Sequence, residues 1–141
     1  MAPREPNHKR STLGSLLSQI LVVDDSKVMR DMVVACLRGL AGATFTQAAS
    51  GLEAIERLSL GHFDAVVLDL NMPDISGIEV LEFVRAQDRL KALPIIVVTT
   101  RGDDDSRSKA LAAGASEYMT KPFTPEAIVA AVGALLQSGT G

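Results

Sequence analysis

A chain of 141 residues with 47% hydrophobic and 22% charged side chains is long enough to bury one sizeable core and too mixed in composition for a disordered or fibrous protein. Its net charge of −3, with no basic patch interleaved with aromatics, argues against a nucleic-acid surface. No apolar run reaches the length that spans a bilayer, which argues against membrane insertion.

Residues 1–19 carry Arg4, Lys9 and Arg10 against Glu5, with no sustained apolar segment and no small-residue cleavage site. A flexible N-terminal extension is expected there rather than a secretory leader, and the protein is expected in the cytoplasm. From Ile20 onward short apolar runs alternate with longer helical patterns, which is the signature of an α/β domain over 20–137 followed by a tail at 138–141. Ile20 to Val23 is continuous and apolar, as a strand covered on both faces should be. Helical spacing follows, with Val28, Met32, Cys36 and Leu40 flanked by Met29, Val33 and Leu37, and Gly39 and Gly42 end it. Cys36 is the single cysteine, so it has no internal disulfide partner and is expected as a buried thiol.

Thr44 to Ala48 reads as a half-polar strand suited to a sheet edge, and Gly51 to Leu58 as the second helix. Asp64 to Leu68 is the third strand and delivers Asp69 at its carboxyl end. Ser76 to Arg85 forms a helix with Ile78, Leu81 and Val84 inward and Glu79, Glu82 and Arg85 outward. Pro94 to Thr99 is the fourth strand, after a polar loop from Gln87 to Lys91. Asp103 to Ala113 is a helix stopped by Gly114, with Asp103, Asp104 and Asp105 complementing its N-terminal dipole. A short strand around Tyr118 and Met119 leads to Lys121 and Pro122, and the last helix runs from Pro125 to Leu136.

Parallel strands joined by right-handed crossovers gather their carboxyl ends on one rim, where open α/β sheets bind ligands. Asp24 and Asp25, Asp69, Thr99 and Lys121 all land there. Each has an ordinary reading alone: the two acids as caps for the first helix with Ser26, Thr99 as a β-branched strand end, Lys121 as a surface lysine. Together, three carboxylates at one rim repel one another and call for a cation. The donors are hard oxygens, with histidine only at His8 and His62, which favours magnesium over zinc. Such an ion commonly takes a phosphate oxygen as well. Thr99 and Lys121 suit a transferring phosphoryl group, and Asp69 suits the nucleophile. A phosphate-cradling nucleotide loop would want Gly, Ser and Thr after the first strand, where this chain has two acids.

The stretches LVVDDS, VVLDLNMPDISG, PIIVVTT and YMTKPF, in that order at four strand ends, make the sequence from Ile20 to Leu136 similar to the receiver domains of two-component response regulators, above all the single-domain CheY-like ones. The resemblance implies a flavodoxin-like, five-stranded parallel sheet of order 2-1-3-4-5 with helices on both faces. It implies that Asp69 accepts phosphate from a histidine kinase, that Asp25 binds magnesium directly and Asp24 largely through water, and that the Asn71 backbone carbonyl is a further ligand. Lys121 would pair with the phosphoryl group, the Lys121-Pro122 bond would be cis, Thr99 would shift toward the phosphate, and Tyr118 would turn inward. Asn71 and Arg101 would tune phosphate lifetime, with Arg101 able to pair with the phosphoryl group or with Asp103 to Asp105. Thr100 is larger than the small residue common at that position in the family. The implied protein is a phosphoacceptor that promotes its own phosphorylation and dephosphorylation, not an enzyme acting on a separate substrate. It would be a monomer whose last two helices and fifth strand bind an output partner, in a chemosensory or motility pathway.

Two other classes compete. A phosphohydrolase with an aspartate nucleophile would resemble DxD there, but the second acid is replaced by Asn71, and the chain leaves no obvious cap domain. A phosphorelay intermediate or a phosphate-independent pseudo-receiver would keep the fold and differ only in its chemistry or partners.

Overall fold

In the computed structural model, which describes residues 17–140, five parallel strands alternate with five helices. The strands are β1 (Ser18–Val23), β2 (Ala43–Ala48), β3 (Ala65–Leu68), β4 (Ile95–Thr99) and β5 (Glu117–Thr120). The helices are α1 (Lys27–Leu37), α2 (Gly51–Leu60), α3 (Gly77–Ala86), α4 (Asp104–Ala113) and α5 (Pro125–Thr140). The sheet order is β2-β1-β3-β4-β5, the order the resemblance implies.

Because successive side chains of a strand point to opposite faces, a strand covered on both faces must be apolar throughout. Leu21, Val23, Val66, Leu68, Ile95 and Val97 enter the layer with Ala54, Leu58, Val80, Leu81 and Val84 from α2 and α3. Ile20, Val22, Val67, Ile96 and Val98 enter the opposite layer with Val33, Val34 and Leu37 of α1 and Ile128 and Val132 of α5. β2 is one edge of the sheet and is only half buried.

The face of α1 differs from the one the spacing suggested. Val28 is 75% exposed and Met32 43%, while Val33, Val34 and Leu37 are buried. Apolar residues surround this helix on most sides, so periodicity does not single out the buried stripe. Cys36 is half buried against the same layer. The helix stops at Leu37, and Leu40 packs against the core from the turn. α5 continues through Thr140, past the expected end at Leu136 and into the expected tail, since an isolated glycine costs a helix only about 1 kcal/mol. β1 begins at Ser18, whose amide donates to Gly42 O at 3.1 Å, so the strand takes up two residues of the expected extension. Residues 1–16 lie outside the described residues. No helix of the described residues is long and apolar enough to cross a membrane.

Arg85 does not point outward. Its guanidinium donates to Gly114 O from Nε and Nη2 at 3.0 and 2.7 Å and to Leu93 O from Nη1 at 2.8 Å. It satisfies carbonyls left over where α4 ends and where the loop before β4 turns. Gly114 has φ +117°, and a Cβ there would lie 2.5 Å from Arg85 Cγ, so both its conformation and its space call for glycine.

Candidate functional site

The strand ends β1, β3, β4 and β5 place their next residues within reach of one another. Asp69 follows β3 and is only 6% exposed, with its amide donating to Val23 O at 3.0 Å. Asp24 and Asp25 follow β1; Asp24 is buried and Asp25 exposed. One oxygen from each of the three carboxylates lies within 4.8 Å of the others. Thr99, fully buried, ends β4. Lys121 donates its amide to Thr99 O at 2.8 Å and reaches back with Nζ to Asp24 Oδ2 at 2.8 Å and toward Asp69 Oδ1 at 3.8 Å. The Lys121-Pro122 peptide is cis.

Burial pushes the Asp69 carboxyl above the ordinary aspartate range. The Lys121 cation pulls the other way, the nearby Asp24 charge adds to the rise, and the backbone N–H groups of Asn71 and Leu70 oppose it. One ammonium thus faces three clustered acids. The donor set is all oxygen and its charge is only partly balanced, so it suits a hard divalent cation that keeps some of its water. Asp24, Asp25 and Asp69 are the side chains that would hold it.

The loop after Asp69 explains its own residue choice. Gly77 opens α3 directly against the Asp69 backbone: a Cβ there would sit 2.5 Å from Asp69 O and 2.9 Å from Leu70 Cα. Ser76 caps α3, its Oγ accepting from Glu79 N at 3.3 Å, and Glu79 Oε1 in turn accepts from Ser76 N at 3.1 Å. Asp74, not singled out from sequence, accepts from Gly51 N at 3.1 Å and Leu52 N at 2.8 Å. It ties the loop to the N-terminus of α2, and the bonds from Leu52 and neighbouring amides pull its carboxyl down to about 2.

Tyr118 lies inward, 8% exposed, with its hydroxyl donating to Arg101 O and Arg107 standing 5.9 Å over its ring. The Arg101 side chain stands near Asp103, whose carboxyl is held down first by bonds from Ser106 and also by the Arg101 charge, and reaches it through that serine. Its Nε donates to Ser106 Oγ at 3.1 Å, and that hydroxyl donates to Asp103 Oδ1 at 3.0 Å. Ser106 is buried in the first turn of α4, and its part in the loop had no sequence signal beyond being a serine near a helix start. Asp103 caps α4 by accepting from Ser106 N at 3.0 Å.

The family model described as "Response regulator receiver domain" matches residues 20–133. A chemotaxis protein CheY of Pseudomonas aeruginosa is 40% identical over 110 residues, covering 78% of this chain and 89% of that protein. A chemotaxis protein CheY-3 of Vibrio cholerae is 41% identical over 106 residues, covering 75% and 82%. Among solved structures, a putative response regulator from Chloroflexus aurantiacus superposes with a TM-score of 0.81 at 35% identity, covering 86% of this chain and 98% of that one.

Proposed function

The chain belongs to the response regulator receiver domain family, and from that membership we propose that it is a stand-alone response regulator accepting a phosphoryl group on Asp69 from the phosphohistidine of a kinase. The observation that carries this reading is the meeting of Asp24, Asp25 and Asp69 at one rim with Lys121 Nζ between Asp24 and Asp69. A carboxylate oxygen of Asp69 forms a bond to phosphorus as the phosphorus–nitrogen bond of the donor breaks. The imidazole leaves with the electron pair, and the three peripheral phosphoryl oxygens keep their charge. Lys121 pairs with one of those oxygens, and Thr99 donates its hydroxyl to another. Asp24, Asp25, Asp69 and the Asn71 carbonyl would hold magnesium, which when bound would neutralise charge developing on the phosphoryl oxygens. Asn71 and Arg101, each two residues beyond a site residue, tune hydrolysis of the acyl phosphate.

The modified Asp69 carries about two negative charges, and the signal leaves through α4, β5 and α5, where Tyr118 and Arg101 meet. The names of the relatives from Pseudomonas and Vibrio support a chemotaxis-type pathway; we place the protein in the cytoplasm, acting as a monomer. Incubation with acetyl phosphate followed by intact mass measurement tests the reading. One phosphoryl group is expected on the wild type with magnesium, and none with chelator or on Asp69→Asn. Addition to the Asp69→Asn variant at the wild-type rate would end the assignment.

A further inference from the structure

Arg30 stands in the first turn of α1, a turn that holds no acidic residue. A cation there opposes the helix dipole, so its place needs another cause. Helical side chains lean toward the N-terminus, and this one reaches back to donate from Nη1 to the Asp24 carbonyl at 2.7 Å. Its Nε donates to Gln47 Oε1 on β2 at 2.9 Å, and Gln47 Nε2 is held by Asp31 Oδ1 at 3.3 Å. The guanidinium thus braces the turn after β1 against the edge strand.

What it grips is the peptide unit that joins the two acids of the rim. Asp24 is fixed independently: its amide donates to Ala48 O at 3.2 Å, Oδ1 accepts from Ser26 N at 2.9 Å, and Oδ2 accepts from Lys121 Nζ at 2.8 Å. Asp25 is exposed and its carboxylate has no hydrogen bond or ion pair among the described residues. Its place is therefore set by its backbone, and the plane of that backbone is set at the Asp24 carbonyl.

We propose that Arg30 is a positioning residue for the acid rim: by holding the Asp24 carbonyl, with Gln47 as its support, it orients the Asp24-Asp25 peptide and sets the affinity of the rim for a divalent cation. This rests on reading the rim as a magnesium site. The effect has a sign that separates it from plain charge. A cation beside a metal site repels the metal, so removing Arg30 would tighten binding if only its charge mattered, whereas loss of a positioning group weakens binding.

The test is a magnesium chloride titration of the full chain, followed by amide shifts of rim residues in two-dimensional NMR, with thermal melts as a check on folding. Arg30→Met is expected to weaken magnesium binding about tenfold. Arg30→Lys keeps the charge but loses the two-pronged hold, so it stays several-fold weakened. Gln47→Ala, which leaves Arg30 in place, weakens binding less, and the double variant is no weaker than Arg30→Met alone. Unchanged or tighter binding in Arg30→Met overturns the proposal; should that variant not fold, unchanged binding in Gln47→Ala overturns it equally. A wild type that does not respond to magnesium would overturn the reading of the rim itself, and the positioning role with it.

Discussion

Replacing Gly77 by alanine tests whether the start of α3 has to touch the end of β3 at Asp69. The added Cβ would lie 2.5 Å from Asp69 O, 2.9 Å from Leu70 Cα and 3.0 Å from Leu70 Cδ2. The two shortest contacts are to backbone, so no side-chain rotation relieves them, and the start of α3 and the end of β3 must separate. Such overpacking costs about 1–3 kcal/mol. Stretching the Gly77 N to Leu70 O bond of 3.0 Å adds up to about 1 kcal/mol. Against this stands the helix preference for alanine over glycine, at most about 1 kcal/mol and less in a first turn. The net loss of about 1–3 kcal/mol lowers Tm by about 4–12 °C in a domain of this size. Gly133→Ala serves as the opposite case: its Cβ would meet only Leu40 Cδ2 at 3.6 Å, so helix preference acts alone and Tm rises by a few degrees. Melts by circular dichroism read both, and intact mass kinetics should show phosphorylation of Gly77→Ala slowed about tenfold as the Asp69 backbone shifts. A Tm for Gly77→Ala at or above wild type refutes the reasoning.

Three further predictions use other parts of the molecule. Asp74 has its folded pKa held down to about 2 by backbone donors, so its contribution is present above the unfolded value and is lost as pH falls through about 4 toward about 2; Asp74→Asn should flatten acid unfolding in that window, and parallel curves would contradict this. Asp69 has a raised pKa, so its ionised form burdens the fold once pH has risen through the folded value. In chelator at neutral pH Asp69→Asn should melt a few degrees above wild type, and a lower Tm would show the burial argument to be wrong. Arg85→Met removes the bonds to Gly114, Leu93, Leu90 and Lys91 carbonyls, costing about 2–4 kcal/mol. Because those carbonyls lie before β4 and β5 begin, at the far end of the sheet, phosphorylation should stay within about twofold of wild type, and a loss matching the loss of Asp69 function would refute that separation.

The strands were legible where burial on both faces leaves an unbroken apolar run, as in Ile20 to Val23 and Ile95 to Val98, and the rim acids were legible because they end such runs. The buried stripe of α1 was not, since Val28 and Met32 match the helical period as well as Val33 and Leu37 do. Bonds from side chain to backbone left the least trace. Asp74 to Leu52, Arg85 to Gly114 and Arg30 to Asp24 each join a polar residue to an amide or carbonyl that every residue type could supply. Periodicity reports which face is covered, not which loop a charged group will cross to. Arg85 was read as outward for that reason, although its stem sits on the helix where the pattern placed it.

Thr99 shows how the rim and the face formed by α4 and β5 share one loop. Its Oγ1 accepts from Arg101 N at 3.4 Å, which leaves its own proton free to be donated toward the rim. The Arg101 carbonyl takes the Tyr118 hydroxyl, and the Arg101 side chain is held to α4 through Ser106. Under the proposed function, drawing Thr99 toward a phosphoryl oxygen stretches an already long bond to the Arg101 amide, while the Arg101 side chain keeps its shorter bond of 3.1 Å to Ser106 of α4. The weakest connection therefore lies next to the chemistry. Movement of Thr99 can begin without first breaking Tyr118 out of its place, and what α4 and β5 then register is the relaxation of Arg101 rather than a push on the helix.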